Sequence, residues 1–173
     1  DGRIYRGWKK GGHGEINLQD AIIESSNTFF FSLAYQTEIE ELREHLSYFG
    51  FGKNICKDCF MPDIGLLPSP EWKMNTHNFG WYKGDTVNMG VGQGYINATP
   101  LQLAYYSAFL ATKGKLNNFS FVQDSKEHKK DTFISENINL NDWTKIHESM
   151  IGVIEDPKGC LLYTSPSPRD EAL

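Results

Sequence analysis

No stretch of this 173-residue chain holds the roughly 20 consecutive apolar residues that a membrane-spanning helix requires, and no charged-then-apolar leader opens it. Positive charge is short as well: 17 lysines and arginines against 22 aspartates and glutamates leave a net charge of -5. The densest basic patch, Lys126 to Lys130, is interrupted by Glu127 and His128, so it reads as a solvated loop. Phosphate recognition needs a concentrated basic face, which excludes nucleic acid as a partner. Cysteine is scarce, with three in all. Cys56 and Cys59 have C-x-x-C spacing, but no second pair and no histidine at ligand spacing completes a metal shell. The pair reads as structural or incidental, with a reversible disulfide as the functional alternative. Nucleotide signatures are missing too: the turn Met89-Gly90-Val91-Gly92-Gln93-Gly94-Tyr95 fits neither G-x-G-x-x-G nor Walker spacing. No cofactor and no metal are expected.

What is present suffices for a core, with 39% hydrophobic and 13% aromatic residues. The chain opens without Met in DGRIYRGWKK and reads as the middle of something longer. Glycines at 11, 12 and 14 make a loop around His13, whose expected role is a structural hydrogen bond. Asn17 caps a predicted helix from Leu18 to about Glu24, with Ala21 and Ile22 at helical spacing. Thr28 to Gln36 predicts a largely buried second helix, with Phe29, Phe30 and Leu33 in the core. Thr37 and Glu40 form a capping box for a third, ended by Gly50 or Gly52. From Phe51 to Lys83 periodicity vanishes and a long loop is expected, a feature that usually has a job. Thr99, Pro100 and Gln102 then specify a helix start, with Leu101, Ala104, Tyr105 and Ala108 buried and Gly114 as the stop. Phe119 to Val122 is β-like. Asn141 or Asp142 caps a last amphipathic helix bearing Trp143, Ile146, Met150 and Val153. Asp156 to Gly159 is a turn, and the Ser/Pro-dense stretch from Cys160 to Leu173 reads as a disordered tail.

Between the first two helices stands Ser25-Ser26-Asn27. Two short polar side chains framed by an apolar turn and an aromatic cluster are a candidate site, although Ser and Asn more often cap or break helices than catalyse. Four blocks in order carry the interpretation further: HGEINLQDAIIESSNTFFFSLA, FGFG, GLLPSPEWK and WYKGDTVNMGVGQGYINATPLQLA. Together they resemble the transpeptidase domain of class B penicillin-binding proteins, and within that family the penicillin-binding protein 2 branch of the cell-elongation machinery. The likeness runs nearly unbroken from about Arg6 to Gly114 and more loosely to Gly159.

The resemblance implies an α+β parent fold of the serine β-lactamase and penicillin-binding transpeptidase type, of which this chain is mainly the α-helical subdomain, a fragment covering residues 1–159. It implies a site of three motifs, S-x-x-K, S-x-N or S-x-D, and K-T-G or K-S-G. Ser25 and Asn27 match the second. Ser25 would shuttle a proton between nucleophile and amine, and Asn27 would hydrogen-bond the stem-peptide amide and the nucleophile's lysine. Trp81 and Tyr82 would line the substrate groove, with core packing the equal alternative. The first and third motifs are absent, and residues 160–173 do not resemble the family; they read as a translated adapter remnant. The parent would acylate itself on the D-Ala-D-Ala end of a peptidoglycan stem peptide and be trapped by β-lactams. This chain would do neither. The family's setting adds an upstream anchor in the bacterial inner membrane, a periplasmic face and a membrane glycosyltransferase as partner. Two other readings stay open: a non-catalytic β-lactam-sensing or peptidoglycan-binding relative, and an unrelated helical interaction domain whose cysteine pair binds metal.

Overall fold

The computed structural model describes residues 4–56, 58–115 and 138–161. Seven helices occur among them: α1 (Leu18–Ile23), α2 (Asn27–Gln36), α3 (Ile39–Tyr48), α4 (Pro70–His77), α5 (Lys83–Met89), α6 (Pro100–Ala111) and α7 (Leu140–Glu155). Among the described residues no sheet forms, and a single antiparallel bridge joins Leu66 to Asn97. The expected β-like stretch 119–122 lies outside the described residues. The chain divides into two compact units, residues 1–32 with 138–173, and residues 33–137, the division falling inside α2.

In the first unit α1 packs on α7. Asn17 caps α1 as its sequence demands, its side chain accepting from the Asp20 N–H at 2.9 Å. The α7 cap is Asn139, two residues ahead of the expected Asn141, and it accepts from the Asp142 N–H at 2.9 Å. Trp143 and Ser149 are the buried residues of α7. Gly152 is where the two helices come closest: a Cβ there would lie 2.8 Å from Ile23 Cδ1. Cys160 and Leu161, expected to open a tail without structure, are docked instead. The Cys160 N–H donates to Ile23 O at 3.1 Å and the Leu161 N–H to Val153 O at 3.1 Å. Residues 162–173 lie outside the described residues.

The second unit departs from the expected long loop, because α4 and α5 both fall inside or at the edge of it. Ser69 caps α4, accepting from the Trp72 N–H at 3.0 Å, and Pro70 occupies its first turn. Gly84, Asp85 and Thr86, expected as a turn, are the first half of α5. The Thr37 and Glu40 capping box does not form: Thr37 Oγ1 donates back to Leu33 O at 2.9 Å, and Glu38 takes the cap position without a side-chain bond. The Thr99 box does form, Thr99 Oγ1 accepting from the Gln102 N–H and Gln102 Oε1 from the Thr99 N–H. Burial on α6 falls on Gln102, Tyr105 and Phe109, while Ala104 is exposed. Burial also pushes the Tyr105 and Tyr106 hydroxyls above the usual phenol range. Phe49, Phe51, Tyr106 and Phe109 form an edge-to-face cluster with centroids 5.3 to 5.6 Å apart. On α2 only Ala34 is buried; the three phenylalanines are half-buried and Leu33 is exposed, so the helix is less enclosed than its composition suggested.

Candidate active site

Ser25 occupies the break between α1 and α2, with its backbone at φ 52, inside the left-handed region. Such a conformation costs a non-glycine residue about 1–2 kcal/mol, so neighbouring contacts must impose it. They do so from both sides. The Ser25 N–H donates to Ile22 O at 3.1 Å and the Ser26 N–H to Ala21 O at 2.8 Å, which closes the end of α1. Ser26 is fully buried, its hydroxyl 3.2 Å from Thr28 Oγ1. Ser25 itself is exposed, and Asn27 begins α2. Turning the chain left-handed at Ser25 therefore hides the middle residue of the triplet and leaves the first at the surface.

The residue before the triplet is the most heavily tied. Glu24 is buried, and its carboxylate oxygen Oε2 meets Lys9 Nζ at 2.7 Å and His13 Nδ1 at 3.0 Å. An ionised carboxylate only accepts, so His13 carries its proton on Nδ1. The Trp8 indole N–H donates to the Glu24 carbonyl at 3.1 Å. Lys9 foremost, then His13, holds the Glu24 carboxyl below the usual carboxylate range against the opposing pull of burial. His13, with its side chain 2% exposed, thus makes a hydrogen bond as the sequence suggested, to a partner the sequence did not name. One signal was available: an acid at the C-terminal end of a helix opposes the helix dipole and calls for a cation beside it. A cleft of about 310 Å³ opens beside Ser26, Thr28 and Phe29, walled by His13 and Glu15.

Trp81 and Tyr82 belong to the other unit, where Lys73 organises them. Lys73 is only 3% exposed, an unusual place for an ammonium group. Its Nζ lies 2.6 Å from Asp85 Oδ2 and faces the rings of Tyr82, Tyr95 and Trp81 at 4.6, 5.5 and 5.9 Å. Asp85 Oδ2 also accepts from the Tyr82 N–H at 2.8 Å, so one carboxylate caps α5 and neutralises the lysine. The Trp81 indole donates to the buried Thr86 hydroxyl at 2.9 Å. Tyr82 keeps its ring largely exposed while its backbone is fixed. Nothing in the spacing of GLLPSPEWK marks Lys73 as buried, since a lysine after a helix start is a surface residue by default.

Cys56 and Cys59 are joined in a disulfide with Cα atoms 5.5 Å apart. Asp58 sits beside them, and the three could be taken for a metal cluster. With the two sulfurs bonded to each other, neither is a thiolate ligand. No helix among the described residues is long and apolar enough to cross a membrane.

Comparison with known proteins gives one consistent answer. The family described as the penicillin binding protein transpeptidase domain matches residues 1–166, and so continues into the stretch beyond Gly159. The peptidoglycan D,D-transpeptidase MrdA of Acinetobacter baumannii is 39% identical over 168 residues, covering 92% of this chain and 25% of its own length. This chain therefore spans about a quarter of that relative. Among solved structures, PBP2 of Pseudomonas aeruginosa, determined in complex with WCK 5153, superposes with a TM-score of 0.82 at 33% identity, over 95% of this chain and 39% of that one. Helicobacter pylori PBP2 in its complex with MreC gives 0.79 at 29% identity, over 96% of this chain and 31% of that one. The sheet that an α+β parent would contribute is not among the described residues, and the helices that are present superpose on those of the relatives. On these grounds the chain belongs to the penicillin-binding transpeptidase family, on its class B PBP2 (MrdA) branch.

Proposed function

We propose that this chain carries the second catalytic motif of a peptidoglycan D,D-transpeptidase of cell-wall elongation. The observation that carries the reading is Ser25: an exposed serine held left-handed, immediately ahead of a helix that begins at Asn27. In this reading the Ser25 hydroxyl accepts a proton and passes it on, because a hydroxyl is donor and acceptor at once. The Asn27 carboxamide fixes the stem-peptide amide and the nucleophile's lysine through its two ends. Trp81 and Tyr82 line the groove for the stem peptide, and the exposed Tyr82 ring on a fixed backbone suits that task.

The reaction is acyl transfer through a serine ester, with β-lactams as mimics of the D-Ala-D-Ala end. It needs a serine nucleophile, a lysine base and a K-T-G or K-S-G strand. No S-x-x-K and neither third-motif variant occurs in the sequence, so the chain by itself is expected to be inactive. We read residues 1–159 as the transpeptidase portion and 160–173 as foreign to it. The setting that goes with this function is the periplasmic face of a bacterial inner membrane, beside a glycosyltransferase that makes the glycan strand. The solved complex of Helicobacter pylori PBP2 with MreC supports an assembly of that kind.

A fluorescent penicillin tests the proposal in two arms. The 173-residue chain should remain unlabelled; a labelled band overturns its inactivity. A hybrid in which residues 8–114 replace the matching segment of Acinetobacter baumannii MrdA should be labelled, and Ser25→Ala and Asn27→Ala should each slow labelling by about 100-fold or more. A folded hybrid that takes no label would favour the non-catalytic relative instead.

A further inference from the structure

The grip on Glu24 lies outside the motif and outside the roles given above. Three groups from the segment 8–13 converge on this one residue: the Trp8 indole on its carbonyl, and Lys9 and His13 on one carboxylate oxygen. That segment is itself closed by a turn, the Gly12 N–H donating to Lys9 O at 3.1 Å. Glu24 is thus anchored through both its backbone and its side chain, one residue before Ser25. On the far side Ser26 is buried and bonded to Ala21 and Thr28. The only exposed residue in this run is the left-handed Ser25. A strained conformation persists where its flanks are over-determined, and here the extra determination comes from an acid placed against the helix dipole and buried for no gain of its own.

We propose that Glu24 is a positioning residue for acyl transfer, holding the Ser25 backbone left-handed and so aiming its hydroxyl. The inference rests on the role given to Ser25 above. Glu24 touches no substrate and exchanges no proton; it acts through the peptide it shares with Ser25. Glutamine in its place keeps an oxygen that accepts from Lys9 or His13, and alanine keeps neither bond.

Two readouts test it. On the 173-residue chain, Glu24→Ala should speed amide hydrogen exchange at Ser25 and Ser26 by about 10-fold or more while the α6 amides keep their rates. In the MrdA hybrid, Glu24→Ala should lower the acylation rate constant by about 10- to 100-fold, with the dissociation constant of the preceding penicillin complex unchanged. Glu24→Gln should restore most of both. His13→Ala added to Glu24→Ala should lower the rate no further. Unchanged exchange at Ser25 and Ser26 overturns the anchor. Faster exchange with normal acylation, or a loss that falls on affinity and is not restored by glutamine, overturns the positioning role. An unsubstituted hybrid that folds and takes no label removes the role of Ser25 and this role with it, a failure told apart because the exchange readout does not depend on it.

Discussion

Ser25 is held in a conformation that suits glycine better than serine. Replacing it with glycine relieves the left-handed cost but adds freedom to the unfolded chain, and the two effects oppose each other. Ser25→Gly is therefore expected to stabilise the chain by no more than about 1 kcal/mol, read as a higher urea midpoint, while removing the hydroxyl on which the proposed proton relay depends. A drop in midpoint would show that the serine conformation is relaxed. Glu24 makes a second, pH-dependent statement. Its carboxyl titrates lower when folded than its ordinary value of 4.5, through Lys9 first and His13 second. The pairing therefore stabilises the fold above that ordinary value and loses its contribution as pH falls through the lowered one. Melting temperature should fall on acidification below about pH 4.5, and Glu24→Gln should flatten that part of the profile. Ser25 and Asn27 were legible because the motif is a fixed spacing of residue types. Glu24 and Lys73 were not, because their importance arises from what distant segments bring to them, and a single charged residue on a helix gives no sign of burial.

At the scale of elements, local chemistry predicted starts better than neighbours. Asn17, Thr99 and Pro100 announced α1 and α6 correctly, since a cap is a contact between residues three apart. The α4 start, Ser69 followed by Pro70, bears the same signature as Thr99 with Pro100, but the apolar periodicity that would have confirmed it is weak over so short a helix. The third helix was displaced by one residue because the Thr37 hydroxyl prefers a carbonyl of α2 to the next helix's N–H. Gln102 shows the limit of such reading. It was expected only as the polar half of a capping box, yet it is buried and its Nε2 lies within 2.8 to 3.3 Å of the Gly50, Lys53 and Ile64 carbonyls. One amide thus fastens the α3 exit and the loop ahead of α4 to the start of α6. Gln102→Leu should cost about 3 kcal/mol or more, because the carbonyls left behind have lost their donor. A urea midpoint shifted at unchanged slope would confirm this; a loss below 1 kcal/mol would mean that water replaces the amide.

The whole molecule is about a quarter of the relative with which it shares 39% identity, and its surface carries the marks of that. Phe60 and Met61 are 93% and 83% exposed, and Leu140 at the start of α7 is 70% exposed. Exposed apolar groups of this size favour association, so the chain is expected to sediment with a concentration-dependent mass and to bind a hydrophobic dye. A monomer with a sharp melt and no dye binding would contradict this. The fold class was legible at this scale because four sequence blocks in order identify a family, whereas the division into two units was not, since it cuts through the middle of α2 and leaves no mark in composition. The disulfide between Cys56 and Cys59 has a practical corollary. With two of three sulfurs consumed, a maleimide reagent finds one free thiol, Cys160, whose backbone is pinned to Ile23 at the end of α1. Intact mass should rise by one adduct before reduction and by three after it, and that lone thiol gives a ready attachment point for a fluorophore near the Ser25 turn with no engineered cysteine.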